Sequence, residues 1–465
     1  MNRKASALKK KSKKISLDTA WEPLHLHAAG VDIGSREHWA CVPGQATERP
    51  VRRFGTFTAD LEAMAQWFED CGVTTVAMEA TGVYWIPLFQ ILEQRGLQVI
   101  LANPRQTKNV SGRKTDVQDC QWIQRLHTYG LLQGSFRPAD PYCVLRTYLR
   151  QRDQLVAARG TQTQHMQKAL QQMNLQLSQV LSDVTGLSGL AIIGAILEGE
   201  RDPAKLASLV NWRVRASSAT IQAALRGDYR PEHLFVLRQA FELHQTYEAK
   251  IEACDEQIVQ HMAQVADKVD PSLQPLGARR ASRRPAVDQM AGQDMRVELY
   301  QKFGVDLTAI EGIGVLTALT LLTEVGPDMS RFPTEKHFCS WLGLCPDNRI
   351  TGGKVLSSRT RRVVNRASDA LRVAANTLER SPSALGGFHR RMKARLGAAE
   401  AVTATAHKLA RIIYRLLKHG ESYVRAGMEE YELKFRARKL SALQKTAKLM
   451  GFDLVQMQPV PAVVS

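Results

Sequence analysis

Four carboxylates stand where they could do chemistry. Asp32 lies in GVDIG, at the end of an apolar run just before a glycine, and Glu79 lies in AMEATGVYW, at the end of another. Asp116 and Asp119 lie in KTDVQDCQWI, where an i, i+3 spacing puts both on one face of a helix. Carboxylates at the ends of adjacent sheet strands converge at one edge, and a helix crossing that edge adds two more. Four hard oxygen donors so placed suit Mg²⁺, with Mn²⁺ as its substitute. One ion, or two about 4 Å apart, would then clamp the attacking and leaving oxygens of a phosphodiester. Each acid also has a plainer reading. A lone Asp before glycine forms turns, and TDVQD can cap a helix and then face solvent. The conjunction of all four, in a basic chain, is what points to a metal site.

The charge is consistent with a phosphodiester. Lys and Arg number 63 against 45 Asp and Glu, a formal charge of +18 over 465 residues. A field of that sign recruits polyanions, nucleic acid first among them, and a merely soluble basic protein is the alternative. In NPRQTKNVSGRKTD the cations Arg105, Lys108, Arg113 and Lys114 surround the approach to Asp116, where they would hold a nucleic-acid backbone; the plainer reading is a solvated basic loop. Tyr84 and Trp85, beyond Glu79, are read as packing residues at the strand end rather than as a base-stacking pair. The cysteines at 41, 71, 120, 143, 254, 339 and 345 include no CxxC pair, and their odd number argues against a disulfide framework. A reduced cytoplasmic interior is expected. No apolar run approaches the ~18 residues of a membrane span, and the basic start, MNRKASALKKKSKK, has no apolar core behind it.

The elements needed to position the acids can be read from the chain. HAAGVDIG reads as a strand, with HWACVPG and VRRFGTF as its hairpin partners; DLEAMAQWFEDCG is helical and stops at Gly72. VTTVAMEA and LQVILANP are apolar throughout, as strands buried on both faces are, and WIPLFQILEQRG is the helix between them. A three-strand meander followed by β-α-β-α is the order of a ribonuclease-H-like α/β sheet. Past Asp116 the pattern is almost wholly helical. Residues 142–180 and 232–268 are long, Gln-rich and heptad-like, as in helical hairpins or coiled coils between subunits. A less regular helical insert fills 181–231, and a Pro-, Gly- and Arg-rich linker 271–293. The boundaries expected are a disordered basic arm over 1–24, the catalytic α/β domain over 25–160, the coiled-coil and insert region over 161–300, a small, mainly α domain over 301–425, and a last helix and tail over 426–465.

These motifs carry a resemblance. GVDIGSREHWACV, AMEATGVYWIPLFQIL, VILANPRQTKNVSGRKTDVQDCQWIQRLHTYGLL and IEGIGVLTALTLLTEVG…FCSWLGLCPDN together resemble the DEDD transposases of bacterial insertion sequences, the one-ten family. The resemblance covers about 30–180 and 300–420. It implies a RuvC-like N-terminal domain whose Mg²⁺ ligands are Asp32, Glu79, Asp116 and Asp119. It also implies a small C-terminal transposase domain, and a non-coding bridge RNA that pairs with donor and target DNA.

In the C-terminal part, AIEGIGVLTALTLLTEVG has the shape of a helix-hairpin-helix element, in which Gly312 and Gly314 would turn backbone N–H groups toward a phosphate. Further on comes CPDNRITGGKVLSSRTRR. Gly352 and Gly353 permit a tight turn, and Lys354, Arg359, Arg361 and Arg362 would hold phosphates around it. The resemblance places a nucleophilic serine just before this glycine pair, one that forms a covalent protein–DNA link. This chain has Thr351 there. Three readings stay open: the threonine hydroxyl attacks despite its crowding β-methyl, the role passes to Ser357 or Ser358, or the chain is a weakened member. For the two serines the favoured reading is N-capping of a helix beginning near Arg359, which would align Arg359, Arg362 and Arg366 on one nucleic-acid face.

The expectation is therefore a DNA recombinase or transposase. It would be guided by a bridge RNA, assembled as a dimer or tetramer, in the bacterial cytoplasm and on the nucleoid when acting. A RuvC-like nuclease or junction resolvase without a covalent intermediate is the alternative, and a non-catalytic nucleic-acid-binding member is the other.

Overall fold

The computed structural model describes residues 22–102, 115–278, 288–361, 363–420, 437 and 440–455. It divides the chain into two compact units, Met1–Arg137 and Pro138–Ser465. The basic arm up to residue 21, the cations Arg105, Lys108, Arg113 and Lys114, and Arg362 lie outside the described residues.

The first unit is a five-stranded sheet in the order β3-β2-β1-β4-β5. β1 (Ala28–Ile33), β2 (His38–Cys41) and β3 (Val51–Phe54) form an antiparallel meander, while β4 (Thr75–Glu79) and β5 (Gln98–Ala102) run parallel to β1. This is the strand order of a ribonuclease-H-like fold, as the sequence suggests. β1 and β4 are apolar almost throughout because both sheet faces are covered. On one face α1 (Thr58–Asp70) and α2 (Trp85–Gln94) bury Met64, Phe68, Leu88 and Leu92 against Ala29, Val31, Val76 and Met78. On the other face lies α3 (Asp116–Thr128), which packs Ile123 onto Ala77 and Ala102. Trp85 packs edge-on against Phe89 at a centroid distance of 5.5 Å, but Tyr84 is exposed rather than packed.

The second unit begins with α4 (Asp140–Gln172), one uninterrupted 33-residue helix. This helix runs through residue 160, and the second unit begins ahead of it at Pro138. Four short helices follow: α5 (Leu177–Val180), α6 (Leu187–Leu197), α7 (Pro203–Ser208) and α8 (Ser218–Ala224). α9 (Pro231–Met262) then returns antiparallel to α4. The pairing is within one chain: Arg152 binds Asp255, Arg159 binds Glu248, and Tyr148 stacks on His261 at 5.1 Å. The short helices close the far end around Met166, Leu170, Ile192, Ile196 and Leu237.

β6 (Gln289–Met290) and β7 (Gln293–Asp294) form a small hairpin inside what reads as a linker, leading into α10 (Met295–Phe303). α11 (Val315–Glu324), α12 (Glu335–Trp341), the hairpin β8 (Arg349–Thr351) and β9 (Lys354–Ser357), α13 (Arg366–Thr377), α14 (Ala384–Leu396) and α15 (Ala398–His419) complete the described core. α15 buries Leu409, Ile413 and Tyr414, and the Tyr414 hydroxyl donates to the Phe332 carbonyl at 2.8 Å. α11 is tied to α4 by the guanidinium of Arg150, which grips the Glu324 carboxylate through three contacts of 2.8–3.1 Å, with Arg146 alongside. Among the described residues no helix is long and apolar enough to cross a membrane.

Candidate nucleic-acid processing site

The register of the first sheet decides where the four acids stand. Side chains alternate along a strand. Ala29 and Val31 of β1, with Val76 and Met78 of β4, belong to the cluster under α1 and α2. Gly30 and Asp32, with Thr75, Ala77 and Glu79, therefore face α3. Three contacts fix that helix along the strands. His127 Nε2 lies 2.9 Å from Thr75 Oγ1, Ile123 packs on Ala77, and the Gln124 side chain donates to the Ala28 carbonyl at 3.2 Å. Two strand residues rise about 6.6 Å and four helix residues about 6 Å. Extending the series from Thr75–His127 and Ala77–Ile123 brings Glu79 to the level of Asp119. Val31 and Met78 are the last paired residues of β1 and β4, so Asp32 and Glu79 are next on each strand. α3 thus runs antiparallel to β1 and β4, with its first turn over their carboxyl ends.

The same face shows why β1 carries a glycine. A Cβ on Gly30 would stand 2.2 Å from the backbone nitrogen of Gln124 and 2.6 Å from the carbonyl oxygen of Cys120. Only the missing side chain lets the helix seat this closely. Sequence reading passed over Gly30, because a glycine in an apolar strand signals close approach without saying of what. Thr115 is the N-cap of α3, its hydroxyl accepting from Gln118 N–H at 3.3 Å, so Asp116 and Asp119 occupy the first turn, where the helix dipole favours carboxylates. Asp116 is exposed; Asp32, Glu79 and Asp119 are half-buried. The Cys120 thiol is pushed up by its hydrogen bond with Cys41, then by burial, and the charge of Asp32 adds to the effect.

By type the four carboxylates, Asp32 and Glu79 on the strands and Asp116 and Asp119 in the first turn of α3, are the hard oxygen donors that a dication takes. Among the described residues, no group of three or more His, Cys, Asp or Glu side chains is gathered closely enough to hold one metal ion.

The base of α3 carries a titratable contact. His127, 1% exposed, is held down to about 4 by burial and by the neighbouring charge of His25, whose ring lies 4.9 Å away. An unfolded histidine takes its proton near 6.5. Between those values the unfolded chain binds more protons, so stability should fall as pH drops from about 6.5 to about 4 and level off below. The loss should be about 2 kcal/mol after allowing for screening by water. A pH series of thermal melts measures it; H127Q should flatten the slope in that window, and an unchanged slope would reject the assignment.

In the second unit Thr351 and Lys354 are cross-strand partners, joined by Gly352 and Gly353 at φ +56° and +77°. Two left-handed central residues make this a twisted two-residue β-hairpin, with Thr351, Gly352, Gly353 and Lys354 all exposed. The helix expected from Arg359 starts at Arg366, because Asn365 is the N-cap, its side chain accepting from Ser368 N–H at 3.1 Å. Ser357 caps no helix; it ends β9 and its Oγ accepts from Arg359 N–H. Arg359 and Arg361 lie in extended chain, where Thr360 bridges to Pro346, and so do not share a helical face with Arg366. Arg361 donates to the Ser340 carbonyl at 3.0 Å, and Arg366 is paired with Asp153 of α4 at 2.9 Å. Gly312, at φ +84°, abuts α13, where a Cβ would stand 2.9 Å from the Ala374 carbonyl oxygen; Gly314 is the open N-cap of α11.

A ribonuclease-H-like sheet with carboxylates at its strand ends defines a class of polynucleotide-processing proteins, and comparison with known proteins narrows it. A family model for the transposases of the DEDD IS110 type matches residues 29–175, and one described as "Transposase IS116/IS110/IS902 family" matches 306–389. A putative transposase of Sinorhizobium fredii is 36% identical over 134 residues, 26% of this chain and 32% of that protein. A probable family 20 transposase of Pseudomonas aeruginosa is 29% identical over 171 residues, 35% of this chain and 47% of that protein. A 43.6 kDa protein of insertion element IS110 from Streptomyces coelicolor is 30% identical over 128 residues, 26% and 31% of the two chains. The matches span from 31% to 47% of these relatives' length. Over both regions the chain is similar to the DEDD transposases of the IS110 family.

Proposed function

We propose that this protein is a transposase that cleaves and rejoins DNA strands to move an insertion sequence. The observation that carries the proposal is the placement of Asp32 and Glu79 at the carboxyl ends of β1 and β4, on the face crossed by α3, whose first turn holds Asp116 and Asp119, in a chain of charge +18. Asp32, Glu79, Asp116 and Asp119 would hold Mg²⁺ or Mn²⁺, which when bound supplies Lewis-acid stabilisation of charge on phosphate oxygens. The nucleophile is the Thr351 hydroxyl. Its oxygen bonds to phosphorus, the bond from phosphorus to one sugar oxygen breaks, and the hydroxyl proton ends on the freed sugar oxygen. The chain is then covalently linked to DNA, and attack by another strand's hydroxyl reverses the step. Lys354, the exposed cross-strand partner of Thr351, would neutralise the phosphate, Arg359 would contact the backbone farther along the ribbon, and the open N–H groups near Gly314 would hold another phosphate.

A non-coding bridge RNA as guide, assembly as a dimer or tetramer, and action on the nucleoid of a bacterial cytoplasm complete the reading. The RNA part is tested by sequencing what co-purifies: one discrete RNA from the flanks of the gene supports it, and random fragments oppose it. A second reading, hydrolysis by the four acids alone, is favoured by threonine at the position where the family resemblance places serine.

Adduct trapping separates the two. Denatured reactions of the wild-type chain with donor DNA should contain a protein–DNA species that T351A lacks and T351S forms faster, by about tenfold given the relief of β-methyl crowding. Product formation with no adduct, undiminished in T351A, would leave hydrolysis as the correct reading.

A further inference from the structure

The hairpin that carries Thr351 has two unlike faces. Its cross-strand pairs are Arg349 with Ser357, Ile350 with Val355, and Thr351 with Lys354. Alternation then puts Arg349, Thr351, Lys354 and Ser357 on one face and the aliphatic pair Ile350 and Val355 on the other. Ile350 and Val355 are each 59% exposed, and Leu356, the extra residue at the irregularity in register, is 69% exposed. A lone two-stranded ribbon is marginally stable in water, so one that turns aliphatic side chains outward gains by contact with something else. The stretch from Cys345 to Arg361 holds the cations Arg349, Lys354, Arg359 and Arg361 and one acid, Asp347. A second copy of the hairpin would bring like charges together. The partner that satisfies both faces is an anion with apolar flat surfaces, which describes nucleic acid with unstacked bases.

We propose that the β8–β9 ribbon is a strand-separating wedge. Its polar face follows one strand's phosphates and presents Thr351, while Ile350 and Val355 lie against bases unstacked where a duplex opens. Aliphatic side chains are used in this way to part base steps, and the cations at the edge offset the unstacking through phosphate contacts. The inference rests on the nucleic-acid reading above but needs neither metal nor strand cleavage, so the two can fail separately.

The test is fluorescence anisotropy of the full-length protein in EDTA. The probes are a labelled DNA fork with unpaired arms and a fully paired duplex of the same length. Wild type should prefer the fork by about tenfold. The I350S/V355S double variant should bring that ratio near one while still binding duplex, and I350V/V355I, which keeps the surface aliphatic, should retain it. R349Q/K354Q should weaken both probes alike and lower the salt dependence. A wild type without fork preference, or a double variant that keeps it, overturns the proposal. So does a double variant whose only change, by sedimentation velocity, is lost self-association, since the face would then join copies of the chain.

Discussion

Asp32→Ala is expected to abolish metal-dependent strand cleavage, by about a thousandfold or more, while leaving the fold intact. The size follows from position. Asp32 is the next residue on β1 after its last pairing with β4, on the face that receives the first turn of α3. A hard dication bound by carboxylates loses affinity steeply with each one removed, and phosphodiester chemistry without it loses the stabilisation of charge on the phosphate oxygens. The fold should tolerate the change because Asp32 is half-buried at a strand end and the apolar partners of β1, Ala29, Val31 and Ile33, remain. Cleavage across a Mg²⁺ titration, together with a thermal melt, checks both halves. Asp32→Ala cleavage within threefold or so of wild type at saturating Mg²⁺ would remove this acid from the site.

Much of this arrangement was legible in the sequence, for a physical reason. The parallel strands β1, β4 and β5 are buried on both faces, and that burial writes itself as unbroken apolar runs, ending where the chain turns to Asp32 and Glu79. The i, i+3 spacing of Asp116 and Asp119 likewise declares a shared helical face. What the residues could not disclose was the level at which α3 crosses the sheet. That is set by backbone contact at Gly30 and by the Thr75–His127 pair, two positions with no local signal of their own.

The long helices show the opposite limit. Their heptad pattern is the same whether the partner is another subunit or the same chain, and ion pairs at Arg152–Asp255 and Arg159–Glu248 place it within the chain. At the hairpin, LSSRTRRVVNR resembled a helix start because serines precede a cationic run. The β-branched Thr360, Val363 and Val364 favour extended chain instead, and Asn365 supplies the cap six residues later than Arg359. Pairing of Arg366 with Asp153 lay beyond any sequence window, because 213 residues separate the partners.

Gly30→Ala should be as damaging to activity as loss of a carboxylate, though it removes no chemical group. The added methyl would meet Gln124 N at 2.2 Å and Cys120 O at 2.6 Å, and both are helix backbone, which cannot rotate aside. An ordinary contact requires about 3.5 Å, so α3 must lift or slide by about 1 Å relative to β1. Overpacking of that kind destabilises by about 1–3 kcal/mol, which a thermal melt would register as a drop of several degrees. The larger consequence is geometric. Asp116 and Asp119 ride on α3, whereas Asp32 and Glu79 ride on the strands, so lifting the helix pulls one pair of donors from the other. A displacement of about 1 Å in a positioned constellation lowers rate by about a hundredfold. Because the donors are displaced rather than deleted, the deficit should shrink as Mg²⁺ or the larger Mn²⁺ is raised, a rescue that Asp32→Ala should not show. Cleavage by Gly30→Ala at wild-type Mg²⁺ dependence would mean that the seat of α3 on β1 does not set the spacing of the four acids.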